Sequence, residues 1–178
     1  MIILVGPSAS GKTEIAKALV ALFGFKKFVT STTRYMREGE RDGVDYNFLS
    51  VEAFKKKIEN NDFIEYVCYN GHYYGTEKRN IDNMTVLIVE KTGLLEFLKL
   101  KDPNIITYYL VSEPEILEKR MIIRGDKPEN IKIRVENDKI DFDRSIKEKV
   151  DMIINTTSNT ILDLALLVYN DYKKRVKL

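Results

Sequence analysis

The stretch Gly6–Thr13, GPSASGKT, follows the apolar run MIILV and leads into KTEIAKALVALF. Its spacing is G-x-x-x-x-G-K-T. Residues this small and polar add little to a core, but they suit an anion. Gly6 and Gly11 let the backbone turn and approach a ligand with no Cβ in the way. Pro7, Ser8, Ala9 and Ser10 complete a loop whose amides turn inward as a nest. The helix behind it adds its positive end. Lys12 is placed to reach the β- and γ-phosphates of a nucleotide, and the Thr13 hydroxyl to ligate Mg²⁺. Ile15, Ala18, Leu19 and Leu22 recur at helical spacing, so strand, loop and helix follow one another as this motif requires. The expected fold is therefore α/β, a P-loop NTPase-type parallel sheet flanked by helices.

The rest of the chain fits such a domain. Its 178 residues suffice for one core, and 44% hydrophobic with 31% charged residues is ordinary for a globular protein. A net charge of +2 implies no nucleic-acid or membrane partner. The single cysteine, Cys68, excludes an internal disulfide and suits a reducing cytoplasm. No apolar run approaches the length of a membrane span. Strands are expected at 2–5, 28–30, 45–49, 63–69, 72–76, 85–90, 105–111 and 151–155. Helices are expected at 12–23, 51–60, 77–83, 93–101, 113–124, 129–147 and 160–173. Ser50 reads as an N-cap, and Ser112–Glu115 (SEPE) as a capping box. The Asn-Gly of YNGHYY marks a hairpin. The region 44–76 interrupts the strand–helix alternation as a small inserted lobe.

A second polar constellation is TSTTRYMREGERDGVDYNF, Thr30–Phe48, which holds Arg34, Arg37, Arg41 and Tyr46. Three of the chain's nine arginines fall within eight residues here, and Arg120, Arg124 and Arg134 form a later group. Arginine grips phosphate through two parallel N–H bonds. Two phosphate sites and a third arginine group are what phosphoryl transfer between nucleotides needs, because that chemistry rests on positioning and charge neutralisation.

With these segments in view the chain resembles the guanylate kinases. GPSASGKT is similar to that family's P-loop, STTRYMREGERDGVDYNF to its monophosphate-binding stretch, FIEYVCYNGHYYGT to the segment completing the acceptor site, and RMIIRG with Arg134 to its lid. The resemblance implies a core of about 1–33, 77–124 and 148–178, an inserted mixed β/α monophosphate lobe of about 34–76, and a helical lid of about 124–147. It implies ATP and GMP as substrates, Mg²⁺ as cofactor, a cytoplasmic setting, and a monomer or homodimer. Arg34, Arg37, Tyr46 and Tyr74 would hold the GMP phosphate. Glu65 would read the guanine edge, with Thr30, Thr76 and Glu90 in support. Lys12, Arg34, Arg120, Arg124 and Arg134 would carry catalysis, and Asn155 would lie near the adenine.

The chain departs from the family pattern at LIVEKTG, Leu87–Gly93, where Asp-x-Asp-x-x-Gly is usual. Ile88 replaces the first carboxylate, and Glu90 lengthens the second by a methylene. Two alternatives follow: a kinase for another phosphorylated small acceptor, or a protein-binding module on the same scaffold. The intact loop weighs against the module. A GTP-hydrolysing switch fits poorly, because NDKID at Asn137 misses the N-K-x-D spacing.

Overall fold

Met1 through Val5 are wholly shielded from solvent, and β1 (Ile2–Val5) has no exposed face. A strand buried on both faces belongs inside a parallel sheet covered by helices on each side. The protein, a computed structural model, is described over residues 1–37, 39–69, 71–78, 82–142 and 144–177. Beside β1 lie β7 (Thr85–Ile88) and β8 (Ile106–Val111), both parallel to it. The edges are β2 (Lys26–Lys27) and β9 (Met152–Asn155), giving the order β2-β7-β1-β8-β9. Alternation along β1 divides the core. Ile2 and Leu4 pack with Ile15 and Leu19 of α1 (Lys12–Phe23) and with Leu164, Val168 and Tyr172 of α7 (Ile161–Val176). Ile3 and Val5 face the other way, against Leu94 and Phe97 of α3 (Lys91–Lys99) and against Phe142 and Ile146. Each such aliphatic side chain, taken from water, contributes about 1.5–3 kcal/mol.

A second sheet stands apart from the first. It runs β4 (Asn47–Phe48), β3 (Ser31–Thr32), β6 (His72–Glu77), β5 (Phe63–Tyr69), with β3–β4 parallel and the other pairs antiparallel. Helix α2 (Val51–Glu59) covers it, capped by the Ser50 hydroxyl, which accepts from Ala53 N–H as expected. Phe54 stacks on Phe63 at 4.4 Å and on Tyr73 at 5.4 Å. Gly75 passes beneath them: a Cβ there would lie 2.9 Å from ring carbons of both Phe54 and Phe63. Gly75→Ala is accordingly expected to cost about 1–3 kcal/mol by overpacking. Thermal unfolding checks this, and an unchanged midpoint would remove the rings as the reason for glycine.

Several boundaries differ from the sequence expectation, each for a local reason. The strand expected at 28–30 is instead the crossing between sheets, with β2 before it and β3 after it. The helix expected at 129–147 is divided into α5 (Pro128–Asp141) and α6 (Arg144–Lys147), because Phe142 leaves helical geometry (φ −111°, ψ 49°) to enter the core. The capping box at Ser112 does not form. Glu113 is the N-cap of α4 (Pro114–Ile123) without a side-chain bond, and the Ser112 hydroxyl pairs with that of Thr157 at 3.1 Å. Of the helix expected at 77–83, Glu77 instead ends β6, and residues 79–81 lie outside the described residues. In the hairpin, Tyr69 stands opposite His72 and Gly71 adopts φ 76°; Asn70 lies outside the described residues.

Candidate active site

The loop 6–11 leaves the carboxyl end of β1, the central strand, and enters α1. Ligands of open α/β sheets bind at that end. Gly6 adopts φ 147°, and a Cβ would stand 2.4 Å from the carbonyl oxygen of Leu110 on β8. Only glycine meets both conditions. Ala9 and Gly11 also have positive φ, 59° and 98°, so the loop curls tightly. The Ser10 hydroxyl oxygen is buried inside it without a hydrogen-bond partner. The Lys12 ammonium donates to the carbonyls of Gly6 and Pro7, at 2.9 Å for Pro7. Burial lowers its pKa, and the charges of Arg124 and Arg134 act in the same direction, opposed by Glu90 and Asp138. Thr13 is exposed on the first turn of α1.

Of the later arginines, Arg120 contacts this loop. Arg120 donates to Ala9 O at 3.3 Å, to Thr156 Oγ1 at 3.2 Å and to Thr156 O at 2.6 Å, tying the loop to the residue that follows β9. Arg124, at the end of α4, is held by the Asp126 carboxylate, which raises its pKa. Arg134 is exposed on α5, close enough for its charge to act on Lys12 and Glu90. Asn155 ends β9, and its side chain accepts from Thr157 N–H at 2.9 Å.

The second cluster sits on the second sheet. The Arg34 guanidinium donates to Glu40 at 2.7 Å and to Tyr35 O at 2.6 Å. It lies 5.5 Å from the ring centre of Tyr46 and 5.7 Å from that of Phe48. Tyr46 meets Tyr74 edge-on at 6.3 Å, and burial raises the Tyr46 pKa. The charge of Arg37 reaches both Glu40 and Tyr46. Arg34, Arg37, Tyr46 and Tyr74 are thus one group. Glu65, on β5, accepts from the Thr76 hydroxyl of β6 at 2.6 Å, and burial raises its pKa. Ser31 pairs with Gly75, which sets Thr30 beside Thr76. Glu90 lies three residues before Gly93, where a Cβ would stand 3.7 Å from the Glu65 carboxyl carbon. It is the N-cap residue of α3 and sits on the loop side, where burial raises its pKa while Lys12 lowers it.

Three contacts were not legible in the sequence as site contacts: Glu40 on Arg34, Asp126 on Arg124 and Thr156 on Arg120. The first two are short-range, six and two residues apart, and acidic residues so near an arginine group were the available signal. Thr156 is brought to Arg120 only by the sheet.

A phosphate-type loop at the carboxyl edge of a five-stranded parallel sheet, with Arg120 bound to it and a second sheet beside it, defines a P-loop kinase fold. Among solved structures, a guanylate kinase from Anaplasma phagocytophilum superposes with a TM-score of 0.73 at 24% identity, covering 98% of this chain and 84% of that one. A shikimate kinase from Acinetobacter baumannii gives 0.56 at 18% identity, covering 97% and 92%. At these identities the likeness establishes the fold. Sequence relatives go further. The guanylate kinase of Onion yellows phytoplasma is 37% identical over 86% of this chain and 76% of its own length. That of Fusobacterium nucleatum is 31% identical over 94% and 95%. The guanylate kinase family model matches residues 1–166. The chain belongs to the guanylate kinase family.

Proposed function

We propose that the protein transfers the γ-phosphoryl group of ATP to GMP, giving ADP and GDP. The observation that carries this reading is two separately built cationic cradles on one chain. One is the loop 6–11 with Lys12, and the other is Arg34 with Tyr46 and Tyr74. In this reading the loop amides and Lys12 hold the donor phosphates, and Arg120 braces the loop from Ala9. Arg34, Arg37, Tyr46 and Tyr74 hold the acceptor phosphate. Arg124 and Arg134 neutralise charge between the two, which is where a loose phosphoryl-transfer transition state gathers it. The second sheet with α2 serves as the acceptor lobe and 124–147 as the lid. Together they exclude water that would otherwise take the phosphoryl group.

Mg²⁺ fits the donor site. Among the described residues no group of three or more His, Cys, Asp or Glu could hold a metal, whereas Thr13 exposes a hydroxyl beside Lys12. A hard cation held by one hydroxyl, water and nucleotide phosphates is the usual arrangement for Mg²⁺ at such loops. Held there by the Thr13 hydroxyl, it would supply positive charge to offset that of the donor phosphates. Among the described residues no helix is long and apolar enough to cross a membrane. We read the setting as cytoplasmic, in keeping with the free, exposed Cys68.

Acceptor choice falls to Glu65. Guanine presents N1–H and the 2-amino group side by side, and an ionised carboxylate accepts from both. Adenine offers an acceptor at N1 and no 2-amino group, so the half-buried carboxylate would gain no donor beyond Thr76 and would face a lone pair. Sites built around such bonds reject the wrong ligand by roughly 10⁴-fold. An ADP-release assay over a panel of monophosphates tests this. GMP is expected to lead, IMP to fall between, and AMP to be poor. Glu65→Gln is expected to shrink the GMP-over-AMP ratio by about 10- to 100-fold, since the amide brings a donor where acceptors are needed. Because burial raises the Glu65 pKa above 4.5, falling pH protonates it early. The acid limb of kcat/KM for GMP should therefore lie above pH 4.5. AMP matching GMP would show that Ile88 marks a different acceptor.

A further inference from the structure

Asp138 lies on α5, 130 residues from the phosphate loop, yet its carboxylate accepts a hydrogen bond from Ser8 N–H at 2.8 Å. Ser8 is inside the anion loop, so a carboxylate oxygen holds one of the amides that a phosphate oxygen would use. The same charge acts on the loop's lysine: Asp138 and Glu90 are the two carboxylates that support the Lys12 ammonium against its burial. Asp138 is half-buried, and its seat is fixed from behind. Phe142, which caps α5 and donates its N–H to Asp138 O at 2.9 Å, is buried against Tyr109, whose hydroxyl donates to Phe142 O at 3.4 Å. Lys91 of α3 reaches Ile140 O at 3.4 Å. Helix α5 is thereby held where its acid meets the loop.

We propose that Asp138 is an internal competitor for the donor's phosphate. Its carboxylate occupies the Ser8 amide and the field of Lys12, and a nucleotide phosphate enters only when α5 lets it go. This rests on reading loop 6–13 as the donor-phosphate site. A carboxylate and a phosphate are both acceptors and both anionic, so they cannot share one N–H and they repel across Lys12. The measured affinity for a donor is then the intrinsic affinity multiplied by the fraction of molecules with Asp138 released. The opposite role, a brace that shapes the loop for nucleotide, predicts the opposite sign on removal.

The test is calorimetric titration of the full chain with Mg-ADP and with pyrophosphate. The wild type is compared with Asp138→Asn, Asp138→Ala and Asp141→Asn. Asp141, at the end of the same helix, removes the same charge and bears on Glu90, so it measures the effect of charge at a distance. Both Asp138 variants should bind the two probes about 5- to 20-fold more tightly than wild type. Asp141→Asn should gain less than about twofold. In steady-state assays KM for ATP should fall by the same factor as Kd while KM for GMP stays. Unchanged or weaker binding by Asp138→Asn and Asp138→Ala, or a gain no larger than that of Asp141→Asn, overturns the proposal. A wild-type chain that binds neither probe would sink the donor-site reading, and this inference with it.

Discussion

Lys12→Ala is expected to lower kcat by about 10³-fold or more while the fold survives. The size follows from where the charge sits. The ammonium lies at the mouth of the loop, half-buried, and burial makes its field stronger than it would be in water. A single pre-placed group aimed at developing charge is worth about 10²–10³ in rate, and a cation at a transferring phosphoryl group about 10³–10⁵. The fold should not depend on it, because α1 is anchored through Ile15, Ala16 and Leu19. Turnover by purified Lys12→Ala, beside its circular dichroism spectrum, checks both halves. Near-normal kcat in a folded variant would remove Lys12 from the chemistry.

Arg34→Ala is expected to lower kcat/KM for GMP by about 30- to 5000-fold. This corresponds to the roughly 2–5 kcal/mol lost when one partner of a desolvated charge pair is truncated. Its side chain is 12% exposed and pinned by Glu40, Tyr35 O and two rings, so it is aimed before any ligand arrives. Glu40→Gln keeps an acceptor but loses the charge that holds the guanidinium. It should cost about tenfold, with KM for GMP carrying most of the change. Tyr46→Phe removes one neutral donor and should cost roughly 1 kcal/mol, about fivefold. Guanosine, without the phosphate, should not turn over. Equal use of guanosine and GMP would show that Arg34 serves something other than phosphate.

Local sequence determined the elements whose reasons are local. The loop 6–13 was legible because its chemistry lies within eight consecutive residues, and α1 and β5 begin and end as periodicity set them. Four of the five parallel strands followed from strand–helix alternation, while the edge strand lies at Lys26–Lys27 rather than at 28–30. Clustering of Arg34, Arg37 and Tyr46 was legible for the same reason. Tertiary structure decided everything that depends on a partner distant in sequence. Phe142 breaks a helix that its own segment would have continued, because burial beside Tyr109 outweighs one turn's hydrogen bonds. The Ser112 hydroxyl takes Thr157 in place of a cap because β9 ends beside it. Glu65 and Glu90 look alike along the chain, yet one meets Thr76 and the other faces Lys12. Asp138, an acid on a largely exposed helix, reaches Ser8 only because α5 packs over the loop. Short-range periodicity fixes backbone; charges find their partners through packing, and packing joins residues that the chain keeps more than a hundred positions apart.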